Sequence, residues 1–272
     1  MYRFLSWGCG VQSTALGEMS ARGELEPLDA IITADTGWER QATYDARDFY
    51  MKRWQDMGMK VEIVSGGDIR QQGAAEHIHI PFWTSGGGPM RRKCTRHFKL
   101  TPTKRRFREL MGYHATNHPH PPPNSCEVWL GISLDEWTRA KPSRIKFMTS
   151  RWPLLEGRID RQDCKDYLAN LGLPIPPKSA CVCCPFRNAS EWITIREEAP
   201  EEFLAAVRFD ELNRHNPLAE TGSTADELYI YKRGAAAEAL AEANLVADAA
   251  RERQRFGTQI PMFICESGLC WV

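Results

Sequence analysis

Short apolar runs at Tyr2 to Ser6, Ala30 to Ala34, Lys60 to Val64 and Glu127 to Ile132 punctuate the first half of the chain, each bounded by Gly, Asp or Ser. Runs of this length and make-up read as buried strands. Between them, Ser13 to Arg22 and Arg40 to Met57 carry apolar or aromatic residues at helical spacing, and Thr101 with Pro102 opens a helix over Thr103 to Met111. Strands that alternate with helices build a parallel sheet, because each crossover helix must pack on a face of the sheet it spans. The expected fold class is therefore α/β, a parallel sheet with helices on both faces. Ligands of such sheets sit in the crevice at the carboxyl ends of the strands. The loops Trp7 to Gln12, Asp35 to Glu39 and Ser133 to Arg139 each follow a strand and are expected to meet there.

After Arg151 the pattern turns helical. Asp160 with Asp163 caps a helix running to Leu171, and helices over Glu191 to Glu198, Pro200 to Arg214 and Ala235 to Arg253 follow. The expected division is an α/β domain over 1–150 and a mainly helical extension over 151–272. The prolines of His114 to Ser125 remove backbone donors and fix φ, so this stretch reads as a loop, and His118 and His120 read as loop residues rather than metal ligands.

A chain of 272 residues with no apolar run near 20 residues is expected to be soluble and away from membranes. The start of the chain reads as a strand entering a glycine turn, not as an export signal, so the cytoplasm is the expected location. There the nine cysteines are reduced thiols, better suited to metal binding or catalysis than to disulfides. Lys and Arg together number 35, as do Asp and Glu, so no general attraction to nucleic acid follows from net charge. Arg91 to Arg108 is an exception, rich in Arg and Lys with no carboxylate, and is expected to need an anion nearby.

Gly8 and Gly10 stand directly after the first strand, and Ser13 and Thr14 directly before the first helix. Glycines let backbone amides approach an anion, and the amides of a first helical turn point at it along the helix dipole. Neither the Walker lysine nor the dinucleotide fingerprint is present. Asp35 ends the second strand, followed by Thr36 and Gly37, where a carboxylate can hold a nucleotide hydroxyl or a magnesium ion. Cys181 and Cys184 form a C-x-x-C turn in which two thiolates can face one ion, with Cys183 between them directed away. Cys94, Cys265 and Cys270 are further thiols, while Cys126 and Cys164 read as buried. Gathered thiolates suit zinc or an iron–sulfur cluster, and spacing alone does not separate the two.

These motifs carry a resemblance. GCGVQSTAL at Gly8 to Leu16, ADTGWE at Ala34 to Glu39, RRKCTRHFKLTP at Arg91 to Pro102, GISLDE at Gly131 to Glu136 and KSACVCCPF at Lys178 to Phe186 resemble the phosphoadenosine phosphosulfate (PAPS) reductase-like branch of the adenine nucleotide alpha hydrolase, or PP-loop, superfamily. The superfamily loop reads Ser-Gly-Gly-x-Asp-Ser. Here Cys9 fills a Gly place and Gln12 the Asp place, which leaves phosphate binding intact but removes any role for a loop carboxylate.

The resemblance implies ATP and magnesium held by Ser6, Gly8, Gly10, Gln12, Ser13, Thr14, Asp35, Thr36 and Gly131, with Ser13, Asp135 and Arg139 acting beside the phosphates. It also favours a 4Fe-4S cluster over zinc, on Cys94, Cys181, Cys184 and Cys270. The expected activity is cleavage of ATP between its α and β phosphates, with transfer of sulfur to the adenylated acceptor. Besides the nucleotide, a nucleic acid and a sulfur-donor protein are the candidate partners. Two rivals stay open. One is reduction of PAPS, although the reductases' terminal Glu-Cys-Gly-x-His signature is not matched, since Glu266, Ser267, Gly268 and Leu269 precede Cys270 and no His follows. The other is a zinc-stapled, non-catalytic nucleic-acid-binding module.

Overall fold

The structure, a computed structural model, describes residues 1–71, 79–114, 120–216, 227–232 and 248–254. Its elements in chain order are β1 (Tyr2–Ser6), α1 (Val11–Ala21), β2 (Ala30–Asp35), α2 (Gln41–Asp56), β3 (Val61–Ser65) and β4 (Trp83–Thr84). A π-helix (Thr95–Leu100) then runs into α3 (Thr101–Leu110), followed by β5 (Cys126–Leu130) and a 3-10 turn (Leu134–Arg139). The chain continues through β6 (Met148–Arg151), α4 (Pro153–Glu156), α5 (Arg161–Asn170), α6 (Ala189–Glu198), α7 (Pro200–Asn213) and β7 (Leu228–Tyr229).

Two compact units form. The first combines Met1–Gly67 with Thr95–Ser179, and the second holds the described residues of Asp68–Cys94 and Ala180–Ile264. The boundary expected near Arg151 falls instead inside β6, which is a sheet strand, and α4 and α5 belong to the first unit. The sequence hid β6 because only Met148 in MTSR is both apolar and buried. As the edge of the sheet, this strand shows no continuous apolar run.

The first unit is built on a five-stranded sheet in the order β3-β2-β1-β5-β6, with every pairing parallel. Alternate side chains feed two cores, as the two-residue period of a strand requires. Leu5, Ile31, Val61 and Trp129 pack on one face with Val11, Leu16, Tyr50, Trp54, Leu154 and Leu168, which come from α1, α2, α4 and α5. Phe4, Ala30, Ile32, Val128 and Leu130 pack on the other with Leu100, Phe107 and Met111 at α3. Helices thus cover both faces, and the α/β class read from the sequence holds. The expected capping box is present at α5, where Asp160 and Asp163 each accept the other's amide.

Gly17 sets the contact of α1 with α2. A Cβ there would lie 2.6 Å from the Trp54 ring, which is itself fully buried. Gly17→Ala gains helix propensity of about 1 kcal/mol, yet overpacking against a fixed indole costs about 1–3 kcal/mol. With a clash this short, net destabilisation by about 1–2 kcal/mol is expected in urea melts.

In the second unit, β4 and β7 form a two-stranded antiparallel ribbon, with Trp83 opposite Tyr229. Fully buried Asp210 of α7 accepts the Ile230 amide and the Arg214 guanidinium. Residues 248–254 are helical, and Glu252 accepts the Ala189 amide at the start of α6. The remainder of the helix expected over Ala235 to Arg253, and His118, lie outside the described residues. No helix among the described residues is long and apolar enough to cross a membrane.

Candidate functional site

At the end of β1 the chain turns through Gly8, Cys9 and Gly10 into α1. The Gly8 amide donates to Ser13 Oγ at 3.3 Å, and Ser13 Oγ donates in turn to the Gly10 carbonyl at 3.3 Å. Gly10 is the N-cap and supplies no side-chain cap, so no side chain covers the first amides of α1 from that position. A Cβ built on Gly10 meets nothing within 4 Å, which shows open space over the helix start. Cys9 adopts a left-handed φ of 56°, and its Sγ lies 3.2 Å from Thr33 Oγ1. Burial pushes the Cys9 thiol up to about 12, so it is a neutral buttress of the loop at neutral pH.

The loop opens on a cleft of about 520 Å³, part of it open to solvent, lined by Ser6, Trp7, Gly8, Cys9, Thr33, Asp35 and Lys99 among others. Lys99 reaches it from the π-helix and donates to Glu39 Oε1 at 2.9 Å. Glu39 is buried and also accepts from Thr36 Oγ1 at 3.4 Å and, on Oε2, from Ser179 Oγ at 3.3 Å. Asp35 Oδ1 accepts from the Gly37 amide at 2.7 Å and from Tyr44 Oη at 3.0 Å, and its Oδ2 accepts from Arg47 at 3.1 Å. Burial, with backing from the Asp35 charge, pushes the Tyr44 phenol up to about 12.

The opposite side of the α1 start meets the 3-10 turn. Gly131 makes this possible, since a Cβ there would lie 2.6 Å from the Ser13 amide nitrogen. Gln12 Nε2 donates to Ser133 Oγ and to Glu136 Oε2, both at 3.4 Å, and Gln12 Oε1 accepts from Arg161 at 3.4 Å. Arg139 pairs with Glu136 at 2.6 Å. Burial raises Glu136 above the usual carboxylate range, and Arg139 opposes that shift. Asp135 Oδ1 accepts from Ser133 Oγ at 2.7 Å and from the Arg161 amide at 3.0 Å, fastening the turn to the start of α5.

The expected residues therefore divide. Ser6, Gly8 and Asp35 line the cleft, and Ser13 and Gly10 form its loop. Gln12, Gly131, Asp135 and Arg139 belong to the polar cluster on the other side of the helix start. Thr14 was expected to offer its hydroxyl to phosphate, but it is fully buried and accepts from Trp7 Nε1 at 2.9 Å. Thr36 is likewise buried, against Glu39. Both oxygens of Asp35, the expected magnesium ligand, are engaged in bracing the turn and holding Arg47. Glu39, Lys99, Tyr44, Arg47 and Ser179 were not singled out as site residues. The one available signal was Glu39, three residues past Thr36 in a strand-end turn and able to accept hydrogen bonds there.

The basic stretch also resolves differently from expectation. Part of the anion it needs comes from the chain itself: Glu39 for Lys99, Glu62 and Glu109 for Arg106, and Glu109 for Arg105. Hydrogen bonds from Arg106 hold both Glu62 and Glu109 below the usual carboxylate range. A depressed carboxylate contributes stability that is present above its unfolded value, about 4.5 here, and is lost as pH falls through the folded value. Thermal melts of Arg106→Gln are therefore expected to show a smaller loss of stability on acidification below about pH 4.5 than wild type. An unchanged acid slope would mean that the pair contributes nothing.

Cys94, Cys181 and Cys184 were expected to come from two domains, but all lie in the second unit, because residues 68–94 leave the sheet unit to join it. The Cys184 amide donates to the Cys181 carbonyl at 3.1 Å, closing the C-x-x-C turn. Cys183 is buried, and burial pushes its thiol well up, with the charges of Cys181, Cys184 and Cys94 acting in the same direction. Among the described residues, no three His, Cys, Asp or Glu side chains are gathered to hold a metal ion. The soft donor set nonetheless fits a thiolate-held centre, and so does the buried Arg187 Nε, which has no hydrogen-bond partner. Cys270 lies outside the described residues.

No family model matches the chain, and no curated protein does. Among solved structures it is similar to a phosphoadenylyl-sulfate (PAPS) reductase from Candida auris in its phosphate complex, with a TM-score of 0.38 and 15% identity over 64% of this chain and 74% of that one. A likeness at that level assigns neither substrate nor mechanism.

Proposed function

We propose that the chain is an ATP-using enzyme of the PP-loop, sulfur-transfer kind. An acceptor oxygen attacks the α-phosphorus of ATP, the α–β bond breaks, and pyrophosphate leaves with the bonding pair. A sulfur nucleophile then attacks the carbon bearing the adenylated oxygen and displaces AMP. The observation that carries this reading is the glycine loop, with an uncapped helix start beneath open space and a cleft alongside it. The amides of the first turn of α1 would hold the departing phosphates. Ser13 Oγ, now bonded to the Gly10 carbonyl, would turn its proton to a phosphate oxygen. Lys99, held by Glu39, would meet developing negative charge at the cleft. Magnesium, bound with the nucleotide, would supply charge neutralisation. An acceptor on a nucleotide or nucleic acid fits the exposed Arg96 and His97 of the π-helix.

The test is product analysis with radiolabelled ATP and a panel of nucleotide and RNA acceptors. AMP and pyrophosphate in equal amounts are expected. Release of ADP and phosphate, or sulfite release from PAPS with no use of ATP, would overturn the assignment.

We also propose that Cys94, Cys181 and Cys184 hold an iron–sulfur cluster, with Cys270 as a further ligand. What supports this is that the first three fall in one unit and that Cys181 and Cys184 close a single C-x-x-C turn. When bound, the cluster would supply an anionic, redox-capable iron centre. Iron and acid-labile sulfide per chain, measured on anaerobically purified protein, test it. Zinc in their place would establish the alternative. Cys183→Ser is expected to keep the metal and Cys184→Ser to lose it.

A further inference from the structure

We infer that Arg187 is the counter-charge of an anionic thiolate centre held in the second unit by Cys94, Cys181 and Cys184. The inference rests on the cluster reading above and adds to it a residue that the motif does not contain. Arg187 is 5% exposed. Its Nη2 donates to the carbonyls of Ala180 and Cys181, both at 2.8 Å, so the side chain folds back over the C-x-x-C turn. Its backbone amide donates to the Cys184 carbonyl at 3.2 Å. The guanidinium also lies over the Trp192 ring at 5.9 Å. Its Nε is buried with no hydrogen-bond partner, as is Trp192 Nε1 beside it.

These contacts satisfy part of the donor set but none of the charge. A guanidinium stays cationic at any pH a protein meets, and a buried charge is stable only when paired. No carboxylate among the described residues pairs with Arg187, in contrast to Arg53, Arg106 and Arg214, each of which has one. What it lies against is the C-x-x-C turn itself, bonded to the Cys181 carbonyl through its side chain and to the Cys184 carbonyl through its amide, so thiolates of that turn are the nearest source of negative charge that the motif offers. Thiolates bound to metal are permanently anionic. Such a centre would supply the missing negative charge and accept from the vacant Nε–H. The carbonyl contacts fix where the guanidinium sits, and the bound centre determines whether its charge is tolerated.

A turn-bracing arginine and a counter-charge predict different results. The full chain is purified anaerobically as wild type, Arg187→Gln and Arg187→Lys. Iron per chain is measured, and thermal melts are recorded before and after chelator treatment. Arg187→Gln is expected to lose more than half of the iron, while Arg187→Lys, which keeps the charge but not the paired carbonyl contacts, retains more of it. In the loaded protein Arg187→Gln lowers Tm. In the stripped protein it leaves Tm unchanged or raises it, because an uncompensated buried charge has been removed. Should Arg187→Gln fail to fold, the lysine variant decides: iron loss as complete as in Cys184→Ser would overturn the inference. Full iron in Arg187→Gln, or the same Tm loss in loaded and stripped protein, would overturn it while leaving the cluster reading intact. Wild type without iron would sink both, and leave the nucleotide reading to AMP release.

Discussion

Gly10→Val is expected to lower affinity for ATP and for pyrophosphate at least about 100-fold, equivalent to about 2.7 kcal/mol, in a protein that still folds. The new side chain would occupy the open space above the start of α1, where phosphate oxygens would sit. Gly10 has φ −101° and ψ 169°, an extended conformation that valine adopts without strain, and its Cβ would touch nothing. Valine is a poorer N-cap than glycine, so about 1 kcal/mol of stability is expected to go. Calorimetric titration with each ligand, alongside thermal melts, separates the two effects. Wild-type affinity in the folded variant would show that no phosphate rests there. Gly131→Ala is the instructive contrast, because there the added Cβ meets the Ser13 backbone and a loss of stability should precede any loss of binding.

The second large effect concerns Glu18, a fully buried carboxylate on α1. Arg53 reaches it with three hydrogen bonds of 2.6 to 3.2 Å, and Trp54 Nε1 adds one at 3.0 Å. Arg53→Met removes the only cation among the described residues that is bonded to this carboxylate, and keeps the Trp54 indole bond. Breaking a buried pair by removing one partner costs about 3–5 kcal/mol. Arg53 is 31% exposed, so water can reach the vacated space and the lower end, about 3 kcal/mol, is expected. Urea melts of Arg53→Met and of Arg53→Met with Glu18→Gln test the cause. The double variant should recover much of the loss, since the uncompensated charge is gone. Equal destabilisation in both would assign the effect to lost packing of the arginine stem.

The inner strands were legible because strands covered on both faces are largely apolar, and the edge strand Val61–Ser65 because it keeps Val61, Ile63 and Val64 although only Val61 is buried. Tyr2–Ser6, Ala30–Asp35, Val61–Ser65 and Cys126–Leu130 all lie within a residue or two of the runs read from the sequence. The edge strand Met148–Arg151 was not legible, because one buried methionine among polar residues carries no such pattern. Nor was the π-helix, whose wide turn is fixed by packing. Gly66 lets the backbone of His97 and Phe98 approach so closely that a Cβ would lie 2.7 Å from the His97 carbonyl. In the site, Gly8, Gly10 and Ser13 were legible from local chemistry, since strand, glycine and hydroxyl are adjacent in sequence. Lys99 and Glu39 were not, because their pairing joins residues 60 apart and neither spacing nor charge pattern links them.

The excursion of residues 68–94 away from the sheet unit has a consequence for biosynthesis. Cys94 leaves the ribosome well before Cys181 and Cys184, and the whole of Thr95–Ser179 must be translated between them, a delay on the order of ten seconds. Strand β1 also waits, since its neighbour β5 emerges only after Ser125. The nascent chain therefore carries the aromatic Phe82 and Trp83 and the Cys94 thiol without their C-terminal partners throughout that interval. Pro185, which accepts from Trp83 Nε1, emerges just after the C-x-x-C, and Tyr229, the strand partner of Trp83, later still. Assembly of the second unit is then a late event, confined to nearly finished chains. A ribosome stalled before Ala180 would release a product with its glycine loop in place and its second unit unmade.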